Sequence, residues 1–483
     1  MMKIRRLPQP LLIFVLLLIL VACAPPTPIP VYITPTPQPP TTIPSQVSTL
    51  EPLVEVTISP VVGEPTQTQM IVGAVVGADY TLQPSNTPRP TRTPLATVPP
   101  RPSDTSVPVG PSATPTIPPS PTVSPTPLPQ LDGNRVGVQL FTDMGRQEWD
   151  DSLSRATELG VGWIKVQASW AFLQPNGYNP DEERLRTFEL NLQTADQRGF
   201  KILMSVAKAP PYVRSNTGDD APPDNPQTLV DFLNMLFQQT KIGEVVDAIE
   251  IWNEPNLKRE WNTPALTFGG AGYMQLFTPA YQAIRAYRPD MMVVTAGLAP
   301  TGTSDFSIDD RDYLRQMYAA GLGQYQDVVI GVHPYGWGNA PDAACCDMNT
   351  DRGWDDNPHF FFKNNLDDAR ATMNANGHQN VQMWITELGW ATWQDLSVGL
   401  PDPAENNLWM NYISPQTQAD YTLKAIQIAQ QERTDIGMMF LWNLNFANPL
   451  SIQNRQEIVA YSMLMPGQSP RPLFYLLPLA LKR

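Results

Sequence analysis

From about residue 131 onward, apolar residues recur in two alternating periods. Short runs rich in β-branched and aromatic residues read as strands at 136–140, 163–168, 201–207, 248–252, 292–296, 328–332, 381–385 and 437–442. Between them, 150–159, 181–198, 227–240, 275–287, 310–320, 361–376 and 416–432 carry apolar positions at helical spacing, and 470–481 predicts a final helix. Strand and helix in alternation favour parallel βαβ units. Eight strands favour closure into a (β/α)8 TIM barrel over an open sheet. The nucleotide-binding form of an open sheet has no support, because no G-x-G-x-x-G or G-x-x-x-x-G-K string stands at a strand-to-helix junction. Connections after the fourth, sixth and seventh strands are long and carry Gly, Asn, Asp and Trp, whereas those entering strands are short. That asymmetry predicts a working face at the carboxyl ends of the strands.

The first 130 residues are of another kind. Lys3, Arg5 and Arg6 precede an apolar run over 11–21 that ends in Leu20-Val21-Ala22-Cys23. The run is too short for a stable membrane span and has the form of a secretory signal. Its last four residues resemble a bacterial lipobox, which implies that Cys23 is acylated and becomes the new N-terminus. Residues 24–130 are dominated by Pro, Thr, Ser and Val, with repeated Thr-Pro and Ser-Pro pairs. Such a segment buries too little apolar surface to offset its ordering entropy and is expected to be a disordered stalk. The division expected is therefore 1–23 signal peptide, 24–130 stalk and 131–483 catalytic barrel, placed on the outer face of a bacterial membrane or released from it.

Charge and cysteine narrow the partners. The formal net charge is −14, with acidic residues spread rather than blocked, which argues against nucleic acid and fits a neutral or cationic ligand. Besides Cys23, only the adjacent Cys345 and Cys346 remain. Neighbouring Cα atoms about 3.8 Å apart strain a disulfide, so a strained bond and two free thiols are both open. Three His residues at wide spacing form no H-E-x-x-H or similar set, so neither a metal nor a cofactor is expected.

Two strings carry the chemistry. Trp252-Asn253-Glu254-Pro255-Asn256 and Thr386-Glu387-Leu388-Gly389-Trp390 each place a carboxylate where a strand-like run meets a loop. Two such carboxylates are the minimum for hydrolysing a glycosidic bond. With Glu254 after the fourth strand and Glu387 after the seventh, the region 135–483 resembles the clan A glycoside hydrolases, which are (β/α)8 retaining enzymes, and most of all their family 39-like and family 5-like members.

The resemblance implies that Glu254 is the acid/base and Glu387 the nucleophile. An acid of this kind needs a raised pKa, and a nucleophile needs hydrogen-bond donors. It further implies that Asn253 bonds the sugar 2-hydroxyl, that His333 and Tyr335 hold the nucleophile and line the site, and that Trp442 lies under the sugar ring. Lys165 stands where related enzymes often carry Arg, and exchanges a bidentate fork for a point charge. Indoles at strand ends or in loops are candidates for stacking on sugar, with Trp170 and Trp337 ahead of Trp261, Trp390 and Trp393.

The function expected is a membrane-tethered, monomeric retaining glycosidase acting on poly- or oligosaccharides. The alternative is a non-catalytic carbohydrate-binding barrel lipoprotein, against which the pairing of both Glu residues argues. Replacing Cys23 by Ser is expected to move the protein from the membrane to the soluble fraction; retention after salt and carbonate washing would contradict the anchor.

Overall fold

A computed structural model describes residues 128–482, apart from 217–219, 347–351, 353 and 397–401. The signal, Cys23 and nearly all of the stalk lie outside the described residues. Eight parallel strands close into a barrel in sequence order. They are β1 (Val136–Gln139), β2 (Trp163–Ser169), β3 (Lys201–Ala207), β4 (Ala248–Ile251), β5 (Met292–Thr295), β6 (Val328–Val332), β7 (Met383–Leu388) and β8 (Ile436–Leu441). β8 pairs with β1, at Val138 with Leu441, and so closes the ring.

One helix layer surrounds the strands: α1 (Arg146–Leu159), α2 (Glu182–Gln197), α3 (Pro226–Gln239), α4 (Gly270–Tyr287), α5 (Asp310–Ala319), α6 (Phe362–Ala375), α7 (Pro415–Gln427) and α8 (Pro472–Ala480). All the expected strands and helices are present, and their ends differ by a few residues. The helix expected over 416–432 leaves the α form at Gln427 and finishes as a π turn, Ile428–Glu432. Side-chain caps fix several helix starts, such as Asp181 accepting the amide of Arg184 and Ser414 that of Thr417.

Alternation along the strands sorts the interior. Ile164, Val166, Ile202, Met204, Ile249 and Ile251 face outward into the main core beneath the helices. Trp163, Leu203, Ala248, Val294, Val329, Trp384, Met438 and Phe440 form a separate cluster that fills the lower barrel. The same parity directs Lys165 and Glu250 inward above that plug. Gly137 is needed beside it, because a Cβ there would sit 2.5 Å from the Phe440 ring. A third cluster, including Trp393, Trp409, Trp442, Phe446 and Tyr461, packs the loops of the carboxyl-end face.

One departure from alternation matters for the site. The pairing of β7 with β8 shifts between Ile385 and Leu388, so both ends of that stretch face the outer core while Thr386 and Glu387 between them turn inward. Bulges of this kind re-aim side chains. Glu387 is therefore the penultimate residue of β7, which runs three residues past the strand end expected at 385. A parallel pairing of Leu131–Asp132 with Leu481–Lys482 ties the two ends of the described region together. Cys345 and Cys346 are joined in the β6–α6 loop.

Candidate active site

The barrel's carboxyl end opens into a cleft lined by Asn253, Glu254, Arg259, Glu260, Tyr335, Trp337, Glu387, Trp442, Glu457 and Tyr461, with Gln167 and Lys208 at its side. Local backbone geometry presents Glu254. Trp252 and Glu254, on either side of Asn253, have left-handed φ of 74° and 41°, a conformation costing about 1–3 kcal/mol each. Fixed bonds hold it: the amide of Trp252 donates to the Val206 carbonyl at 3.0 Å and that of Glu254 to the Gly297 carbonyl at 3.1 Å. The Trp252 indole N–H, buried, donates to the Glu260 carbonyl at 3.0 Å.

An oxygen of Glu254, an oxygen of Glu387 and a ring nitrogen of His333 all lie within 4.8 Å of one another. His333 Nδ1 is 3.1 Å from Glu254 Oε1 and 3.8 Å from Glu387 Oε2. Lys165 Nζ donates to Glu387 Oε1 at 2.9 Å and stands 3.0 Å from Glu250 Oε2. The Tyr335 hydroxyl donates to Glu387 Oε2 at 3.0 Å, and Arg259 donates to Glu254 Oε2 at 3.2 Å. Glu387 thus has a donor on each oxygen.

Glu254 departs from expectation. Burial alone would raise its pKa, but the hydrogen bond and charge of His333, then Arg259 and Lys165, outweigh burial and hold it below its ordinary value. The expected raised pKa is not found. His333 shows the reverse balance: burial disfavours its cation, yet Glu387 and Glu254 raise it above the ordinary imidazole value. Tyr335 is held protonated by burial and by Glu387, which keeps it a donor. Around the cleft, burial pushes Glu260 up to about 8 and Glu457 up to about 7, in each case against the pull of Arg259.

His333 lies beneath the two carboxylates and is fully covered rather than lining the cleft. Gly297 makes room for it, since a Cβ there would lie 2.2 Å from the imidazole ring. Trp442 and Trp337 line the cleft, as expected. Trp170 does not. It opens a short helix, Trp170–Leu173, that turns the indole into the helix layer, where it stacks on Phe232 at 5.0 Å and donates to Gln174 at 2.7 Å. Trp261, Trp390 and Trp393 are likewise buried packing residues.

The sequence reading missed Glu250, Arg259, Glu260, Glu457 and Tyr461. Glu250 left a signal: an acid at an inward position of the otherwise apolar Ala-Ile-Glu-Ile run requires a buried cation, and Lys165 has the matching parity on β2. Arg259 and the residues of the β8–α8 connection left none. A larger hollow, about 850 Å³, opens at the opposite mouth of the barrel beside Trp163 and Trp384. Its arginines are already engaged, Arg135 with strand-end carbonyls and Arg433 with Asp435 and Asp367, and among the described residues no carboxylate lines it.

No protein-family model and no curated protein sequence matches the chain. Solved structures with a similar course include a family 39 glycoside hydrolase from the gut symbiont Bacteroides cellulosilyticus WH2, at 16% identity and a TM-score of 0.49, covering 72% of this chain and 63% of that one. A monomeric beta-xylosidase from Caulobacter crescentus CB15 matches at 14% identity and a TM-score of 0.48, over 72% of this chain and 68% of that one. An exo-beta-1,4-mannosidase from Opitutaceae bacterium strain TAV5 matches at 14% identity and a TM-score of 0.46, over 74% and 62%. The chain spans just under two thirds of the first of these. Likeness this distant assigns neither family nor activity, so what the cleft does rests on its own geometry.

Removing the Lys165 ammonium leaves Glu250 buried without its cation. Lys165→Met is expected to cost about 3–5 kcal/mol in denaturant unfolding, and adding Glu250→Gln is expected to recover part of that loss. Equal losses in the single and double variants would remove Glu250 as its partner.

Proposed function

We propose that the chain is a retaining glycoside hydrolase that cleaves O-glycosidic bonds of poly- or oligosaccharides by double displacement. The observation that carries this is the approach of the Glu254 and Glu387 carboxyl oxygens to within 4.8 Å at one cleft. Retaining enzymes hold their carboxyls about 5–5.5 Å apart, whereas inverting ones need about 6.5–9.5 Å to admit a water between them.

In the first step Glu387 forms an ester to the anomeric carbon while the bond to the leaving oxygen breaks and Glu254 protonates that oxygen. In the second, a water attacks the same carbon, gives a proton to Glu254 and frees Glu387. Lys165 and Tyr335 aim the nucleophile. The lowered pKa of Glu254 suits its role as base in the second step. The proton for the first step is held by His333, 3.1 Å from Glu254, so that imidazole and carboxyl titrate as a pair. Trp442 supplies an apolar face to the sugar ring and Asn253 an amide to its 2-hydroxyl. The barrel of 131–483 is carried outside the cell on the lipid-tethered segment 24–130.

The tests separate the two carboxylates. Glu387→Gly is expected to abolish turnover, with azide partly restoring cleavage of an activated aryl glycoside by occupying the vacated space. Glu254→Ala is expected to lower activity by at least about a hundredfold on substrates with poor leaving groups and to spare the first step for good ones; identical behaviour of the two variants would overturn the roles.

The pH dependence follows from His333. Because its pKa is raised by Glu387 and Glu254, the shared proton is kept to a higher pH than an ordinary imidazole would keep it and is lost as pH climbs through that raised value. The alkaline limb of kcat/KM is expected above pH 6.5, and His333→Gln is expected to move it lower, since the proton then rests on a carboxyl alone. An unmoved limb would exclude His333 as the store.

A further inference from the structure

The loops that wall the cleft carry a second cluster of metal-ligating groups, separate from the carboxylates facing the substrate. Asp309 and Asp310 stand at the end of the β5–α5 connection, where Asp309 caps α5. His359 lies in the short turn Pro358–Phe360, just before α6. A ring nitrogen of His359 and a carboxylate oxygen of each aspartate lie within 4.8 Å of one another. The imidazole is 4% exposed, and its buried Nδ1 has no hydrogen-bond partner, a state that ordinarily costs about 1–3 kcal/mol. Gly302 backs onto this ring: a Cβ there would lie 3.3 Å from His359 Cε1.

The aspartates are already oriented. Asp309 Oδ1 accepts the amide of Arg311 at 2.9 Å and Asp310 Oδ1 that of Thr301 at 3.4 Å, each leaving Oδ2 outside these backbone bonds. Arg311 opposes a cation here, as does the start of α5. Its Nε, however, is paired with Asp368 at 2.8 Å, while its Nη1 stands farther off, 3.8 Å from Asp309 Oδ2, and Asp356 also acts on His359. With Asp309, Asp310, Asp356 and Asp368 against Arg311, carboxylates outnumber the guanidinium four to one.

We propose that Asp309, Asp310 and His359 bind one divalent transition-metal ion of the Zn²⁺ or Mn²⁺ type, which pins the β5–α5 loop to the β6–α6 loop. An imidazole with two carboxylates suits these ions, whereas Ca²⁺ and Mg²⁺ take oxygen ligands. Metal bonds of about 2.0–2.2 Å set ligand atoms roughly 3–3.5 Å apart, so binding draws the three groups together. The ion acts at a distance on the cleft. His359 packs edge-on against Phe360 at 4.4 Å, and Phe360 against Trp337 at 5.0 Å, so fixing His359 steadies a wall of the substrate site.

The test is calorimetric titration of the chelator-treated full chain with Zn²⁺ and separately with Mn²⁺, paired with thermal unfolding. One ion is expected to bind at this site and raise Tm. His359→Gln and Asp310→Asn are each expected to weaken that binding by at least about tenfold, while Glu387→Gln retains it. Wild-type-like binding in the two ligand variants, or none in the wild type up to about 100 μM of either ion, would overturn the proposal. Should the variants not fold, wild-type crystals soaked in Zn²⁺ decide it: an anomalous peak between the three residues supports the site, and a peak only elsewhere, or none, overturns it.

Discussion

A buried ammonium, Lys165, joins three strands of the barrel into one electrostatic unit. It stands 3.0 Å from Glu250 on β4 and 2.9 Å from Glu387 on β7, and all three groups are almost wholly withdrawn from water. No member can be buried alone at bearable cost. The register between β2, β4 and β7 must therefore be the one that brings the charges together, and closure of the barrel is what makes that register available. Glu250 also accepts the amide of Gly297 at 3.2 Å, and Gly297 in turn leaves room for the His333 ring.

The same logic extends upward to the cleft. Glu250, Glu254 and Glu387 contribute three negative charges, and Lys165 and Arg259 two positive ones. Burial disfavours the cation of His333, yet the neighbouring Glu387 and Glu254 raise the basicity of the imidazole above its ordinary value. The carboxyl of Glu254, expected to have a raised pKa, is instead held below its ordinary value beside that imidazole. Arg259 on its other oxygen reinforces the ionised form of Glu254.

Rigidity around this unit comes from loops with a core of their own. Trp393, Trp409, Trp442 and Tyr461 belong to one cluster, with Tyr335 and Trp337 packed against it. Cleft residues are thus held by apolar contacts among the long connections rather than by the barrel alone, and His359 lies one residue from Phe360 in that same cluster. Preorganisation of the first contacts by such packing is what precise chemistry needs.

Periodicity along the chain was enough to specify the eight strands, the eight helices and the barrel they imply, because alternation and helical spacing are local consequences of which face is buried. It also placed Glu254 and Glu387 at the correct end of the barrel, and it contained the pairing of Lys165 with Glu250 as two inward charges in apolar runs. Local pattern could not say that Trp170 turns away from the cleft into a packed helix layer. Nor could it say that a shift in β7 pairing rotates Glu387 inward, that His333 lies under the carboxylates, or that Arg259 reaches Glu254. Those facts depend on register and loop packing between residues tens to hundreds of positions apart. The charge state of each site group is a sum over such neighbours, so only the closed tertiary structure decides it.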